Sequence, residues 1–104
     1  MHTVKRIEII IGKPYIARVR QVLDDLGVSG MTLLEAVAGY GDRGAREGGE
    51  LSDATVNQCI LTTCHPEQVD ALARAMEPLL HRYGGLCLIS DAVVIRDEQD
   101  EARG

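Results

Sequence analysis

Gly27-Val28-Ser29-Gly30-Met31-Thr32-Leu33-Leu34-Glu35-Ala36-Val37-Ala38-Gly39-Tyr40-Gly41-Asp42-Arg43-Gly44 is the stretch on which the fold turns. Gly27 can stop a helix, and Met31 to Tyr40 reads as an extended segment. Beyond it Gly39, Gly41, Gly44, Gly48 and Gly49 are interspersed with Asp42, Arg43, Arg46, Glu47 and Glu50. Such a composition holds too little apolar surface for a core, so the strand feeds a long glycine-rich loop.

Upstream, Val4 to Ile11 is β-branched, with Ile7, Ile9 and Ile11 on one face, and predicts a strand ended by Gly12, Lys13 and Pro14. From Tyr15 to Leu26 the apolar positions Ile16, Val19, Val22, Leu23 and Leu26 recur at three- and four-residue steps, which predicts an amphipathic helix. Downstream, Thr55 to Cys64 reads as a third strand. Pro66 opens a second helix that carries Val69, Leu72, Met76, Leu79 and Leu80 inward, and Pro78 within it is expected to kink or shorten it. Gly84 and Gly85 make a turn, and Leu86 to Ile95 is the last strand, with a break expected near Asp91.

The order strand, helix, strand, loop, strand, helix, strand is the βαββαβ pattern of an α+β, ferredoxin-like sandwich with both helices on one face of an antiparallel sheet. The other face is expected to be apolar through Val56, Ile60 and the alternate positions of the second strand, and so to self-associate. At 104 residues, 45% of them hydrophobic, one core fills the chain. Residues 1–96 are read as a single domain and 97–104 as an acidic, flexible tail.

With a net charge of −5, and with Asp97, Glu98, Asp100 and Glu101 crowded beside Arg96 and Arg103, the chain lacks the basic surface that nucleic acid requires. No apolar run reaches the ~20 residues of a membrane span and the N-terminus has no signal-peptide pattern, so a cytoplasmic protein is expected. Cys59, Cys64 and Cys87 are read as small buried hydrophobes rather than metal or redox groups.

Catalytic signatures are missing. No Ser-His-Asp or Cys-His arrangement is recognisable, Gly39-Tyr40-Gly41 follows a strand without opening a helix, and no Gly-Lys-Ser/Thr completes a phosphate-binding loop. A binding module is expected, not an enzyme. Glycines let backbone N–H groups approach an anion closely, and Arg43 and Arg46 can add charge-assisted hydrogen bonds. His81 and Arg82, near a helix C-terminus, are further anion candidates.

Ser29-Gly30-Met31-Thr32 leading to Gly39-Tyr40-Gly41, with Lys13-Pro14, Pro66 and Gly84-Gly85, resembles the PII signalling proteins over nearly the whole chain. The resemblance implies a homotrimer whose sheets face a three-fold axis, with an adenine nucleotide in each cleft between subunits. It implies Thr32, Gly39, Tyr40, Gly41, Thr62, Cys64, Gly84, Gly85 and Arg96 as nucleotide-binding positions, and residues 41–54 as the switching loop.

Departures from the family pattern narrow this. The loop is short and has no tyrosine for uridylylation, Leu86 stands where a basic residue is expected, and Asp97-Glu98 follow Arg96 instead of a second arginine. ADP or AMP is therefore favoured over a triphosphate. These features look like the divergent PII-like proteins of inorganic-carbon uptake or carboxysomes, which implies bicarbonate as a second ligand and a transporter or carboxysome-related protein as partner. The alternatives are a nitrogen regulator of the PII fold and a structural or metal-binding ferredoxin-like oligomer without nucleotide.

Overall fold

The computed structural model describes residues 1–28, 30–37 and 56–96. Six principal elements follow one another: β1 (His2–Gly12), α1 (Ile16–Asp25), β2 (Thr32–Val37), β3 (Asn57–Cys64), α2 (Val69–Tyr83) and β4 (Leu86–Val94). Single 3₁₀ turns, Lys13–Tyr15 and Pro66–Gln68, lead into the two helices. The strands form one sheet in the order β2-β3-β1-β4, antiparallel throughout, which is the expected α+β, ferredoxin-like arrangement.

Alternation along β1 determines the layers. Ile7, Ile9 and Ile11 are fully buried on the helix side, where they meet Val19 and Leu23 of α1 and Leu72 and Met76 of α2. Gly27, at φ +76°, closes α1: its N–H donates to Asp24 and that of Val28 donates to Leu23, the paired pattern that satisfies the last free carbonyls of a helix. The Gln68 amide donates to the Leu26 carbonyl at 2.9 Å and ties the start of α2 to the end of α1.

Three expectations change. Pro78 does not shorten α2, which continues five residues beyond it to Tyr83. Leu72 and Met76 are buried before the proline and Leu79 and Leu80 pack on the core after it, so tertiary contact holds both sides of the missing hydrogen bond. No break interrupts β4 at Asp91, because that residue sits in register with Lys5 and its carboxylate accepts a bond from the ammonium group. Ile60 belongs to the helix-side core rather than to the open face, since β3 pairs it with Ile9.

The same registers define the open face. It carries Val4, Arg6, Glu8 and Ile10 of β1, Cys59, Leu61 and Thr63 of β3, Thr32 and Leu34 of β2, and Leu86, Leu88 and Ser90 of β4. Leu34, Leu86 and Leu88 are 47–49% exposed on it. The reading of this face as apolar holds, but a different set of β3 residues makes it so.

Candidate ligand site at the strand ends

Strand direction gathers one set of the expected residues at a single end of the sheet. Val37, the last residue of β2, and Gly12, the last of β1, both pair with Asn57 at the start of β3. The N–H of Lys13 donates to the Val56 carbonyl at 2.7 Å. Chain on both sides of residues 38–55 therefore meets the turn after β1. Gly84 and Gly85 arrive at this end from α2, because Leu86 begins β4 opposite Ile10.

The two glycines have left-handed or extended positive-φ backbones, Gly84 at +74° and Gly85 at +130°. A Cβ on Gly85 would lie 2.8 Å from the Ile10 carbonyl oxygen and 3.2 Å from the Ile11 side chain. Close approach of this turn to β1 requires glycine. The N–H of Gly84 is occupied by the Leu80 carbonyl at 2.9 Å, so it closes the helix rather than facing outward.

Arg82 and His81 occupy the last turn of α2, where the helix dipole favours cations. The Arg82 guanidinium lies 5.5 Å from the Tyr83 ring centre and that of Arg18 lies 5.7 Å from it, while Tyr83 stacks on Tyr15 at 4.0 Å. His81 lines a cleft between α2 and β4 together with Met76, Pro78, Cys87 and Ile89. Sequence reasoning missed the Tyr15–Tyr83 stack, since the two residues lie in different halves of the chain. It missed Asn57 as well, whose buried side-chain oxygen accepts no hydrogen bond among the described residues.

A second set stands away from that end. Thr62 is buried opposite Ile7, and its hydroxyl donates to the Gly30 carbonyl at 2.6 Å, which fastens the approach to β2 onto β3. Cys64 is buried among core residues opposite Lys5. Thr32 is exposed on the open face opposite Leu61. Arg96 follows Val94, which pairs with His2, whereas Leu86 pairs with Ile10. Eight residue steps of strand, roughly 26 Å, thus separate the Arg96 end from Gly84–Gly85. One chain does not bring Arg96 and the glycine turn to a common ligand. Gly39, Tyr40, Gly41, Arg43 and Arg46, with the 41–54 loop and the 97–104 tail, lie outside the described residues.

The three cysteines are unpaired, Cys59 and Cys64 buried and Cys87 half-buried. Burial pushes all three thiols above their ordinary value of 9.0, with Glu8 adding to the effect at Cys59 and Glu67 at Cys64. A thiol so held is a poor nucleophile at neutral pH. Among the described residues no group of three His, Cys, Asp or Glu side chains comes together to hold a metal ion, and no helix is long and apolar enough to cross a membrane.

The raised thiols have a pH signature. Above the ordinary thiol value the unfolded chain loses protons that the folded chain keeps, so stability is fully present below about pH 9 and falls as pH rises further. Urea midpoints at pH 7.5 and pH 10 are expected to show this fall, and Cys64→Ala should reduce the difference between them. An undiminished difference would remove Cys64 as a contributor.

Several solved structures are similar over almost the full chain. CPII, a nitrogen regulatory PII-like protein from Thiomonas intermedia K12 bound to ADP, AMP and bicarbonate, superposes with a TM-score of 0.82 at 25% identity, over 91% of each chain. The same protein bound to ADP and bicarbonate gives 0.79 at 25% identity, again over 91% of each chain. A PII-like signalling protein from Thermus thermophilus gives 0.76 at 20% identity, covering 94% of this chain and 95% of its own. No protein of curated function matches the chain. The family model of nitrogen regulatory protein P-II matches residues 4–99, nearly the whole length, and the chain therefore belongs to the P-II family.

Proposed function

We propose that this protein is a non-enzymatic PII-like regulator that binds ADP or AMP in clefts between the subunits of a homotrimer, together with bicarbonate, and signals in inorganic-carbon metabolism by ordering its loop. The observation that carries the reading is the match over 91% of the chain to CPII with ADP, AMP and bicarbonate bound. The separation of Arg96 from Gly84–Gly85 supports a cleft between subunits, because an arginine from a neighbouring copy can reach a phosphate that its own chain's arginine cannot.

Within that cleft Gly39, Tyr40, Gly41, Gly84 and Gly85 bring backbone close to the nucleotide, Thr32 on the open face lines the base, Arg96 of the adjacent copy meets the phosphate, and the buried Thr62 and Cys64 support the sheet behind it. Arg43, Arg46, His81 and Arg82 supply charge for the smaller anion and for the loop. A planar bicarbonate fits such a place, since backbone N–H groups and one guanidinium can bond all its oxygens. The loop then has two states, and ligand favours the one it contacts. A transporter or carboxysome-related protein is the partner that the ordered loop addresses.

Calorimetry with AMP, ADP, ATP and cyclic AMP, each with and without bicarbonate, tests the reading. Heat is expected with ADP and AMP, and at a hundredfold excess over Kd the ligand should stabilise the protein by about 2.7 kcal/mol. Arg96→Ala should weaken ADP binding by about 1.5–3 kcal/mol, the range for a hydrogen bond to a charged group. Absence of heat with every nucleotide would overturn the proposal.

A further inference from the structure

Across the open face of the sheet, charge and apolar surface are arranged in rows. One row reads Thr63, Arg6, Ser90 and is polar; the next reads Thr32, Leu61, Glu8, Leu88. A carboxylate thus stands between two leucines, on the central strand, with its side chain only 27% exposed. Its partner is Arg6 of the same strand, at 2.7 Å and 45% exposed. The guanidinium has five N–H donors, and one bond to Glu8 leaves most of them to solvent.

Covering the flanking leucines removes that solvent from both charges, and a buried guanidinium with unfilled donors is strongly unfavourable. The face therefore favours a partner that brings a carboxylate to Arg6 and a cation to Glu8. A second copy of this chain does both, because each copy presents the two signs side by side along β1, about 7 Å apart. Rotation about a common axis can then set the Arg6 of one copy against the Glu8 of the next, and repetition closes a ring of alternating charge.

We infer that Arg6 and Glu8 form an inter-subunit ionic ring that selects this chain's own copies as the partners of its open sheet face. The inference rests on the trimer of the proposed function and adds the residues that specify it. Arg6 answers to two carboxylates, its own chain's and its neighbour's. Leu34, Leu86 and Leu88 surround the ring with apolar contact.

Three variants of the full chain test this: Arg6→Glu, Glu8→Arg, and the two changes together. Each single variant places like charges around the axis, and its half-dissociation concentration by light scattering should rise about a hundredfold or more. Two kinds of chain cannot alternate around a ring of three, so mixing the single variants relieves at most two of the three contacts, whereas the double variant, which carries both signs on every chain, should assemble like the wild type. Circular dichroism on the same samples reports folding. Single variants that stay assembled at wild-type dilution, or a folded double variant that dissociates as readily as the single variants, would overturn the ring. A wild-type chain that is monomeric would overturn the trimer beneath it, and that result is separate from any variant.

Discussion

Gly85→Ala is expected to destabilise the protein by about 2–5 kcal/mol, combining backbone strain with an overpacked contact. Its φ of +130° lies where an L side chain is unfavourable, and the added methyl would meet the Ile10 carbonyl oxygen at 2.8 Å. That oxygen is backbone on the central strand, bonded into the sheet, so it cannot swing aside as a flexible side-chain tip would. Relief must come from moving the turn, which shifts Gly84 and the start of β4 away from the base of the loop. Thermal melting at fixed protein concentration should fall by on the order of 15 °C. Gly27→Ala provides the reference: φ is also positive, at +76°, but nothing lies within 4 Å of the new methyl, so only about 1–2 kcal/mol of conformational cost is expected. Equal losses at the two positions would show that the approach to β1 is not what demands glycine at 85.

The elements were legible where one chemistry dominated locally. Ile7, Ile9 and Ile11 alternate without interruption, and α1 repeats its apolar residues at helical steps, so neighbouring residues alone specify each element and its buried face. Pro66 and Gly27 mark helix ends by the same local logic. Pro78 and Asp91 misled because their local preference opposes an element that distant residues hold in place: the core on either side of the proline, and Lys5 across the sheet from the aspartate. The face of β3 was misassigned for a related reason. Val56 to Cys64 contains apolar residues on both faces, and only pairing with β1 decides which face meets the helices. The Gly84–Gly85 turn was readable because glycine carries its backbone requirement in its identity, and the P-II family because its motifs span nearly the whole chain. Asn57 and the Tyr15–Tyr83 stack were not, since they matter through neighbours that only the fold supplies.

One residue step along β1 separates a side chain that holds the single chain together from one on the face proposed to join subunits. Ile9 is fully buried against the helices, between Ile60 and Cys87, and Ile9→Ala should cost about 2–5 kcal/mol through lost transfer energy and the cavity left in a layer with no large aromatic to collapse into it. Ile10 points the other way, between Cys59 and Leu86 on the open face, where it is half-buried in a single chain. In the proposed trimer Ile10 becomes core of the interface. Ile9→Ala is therefore expected to lower the urea midpoint while leaving the dissociation of folded chains unchanged on dilution. Ile10→Ala should do the reverse, raising the concentration at which subunits separate by more than it lowers the stability of one subunit. Light scattering on dilution and urea unfolding, run on both variants, read the two effects independently. If both substitutions changed unfolding alike and neither changed dissociation, the open face would carry no subunit contact, and the cleft proposed for the nucleotide would lose its second wall.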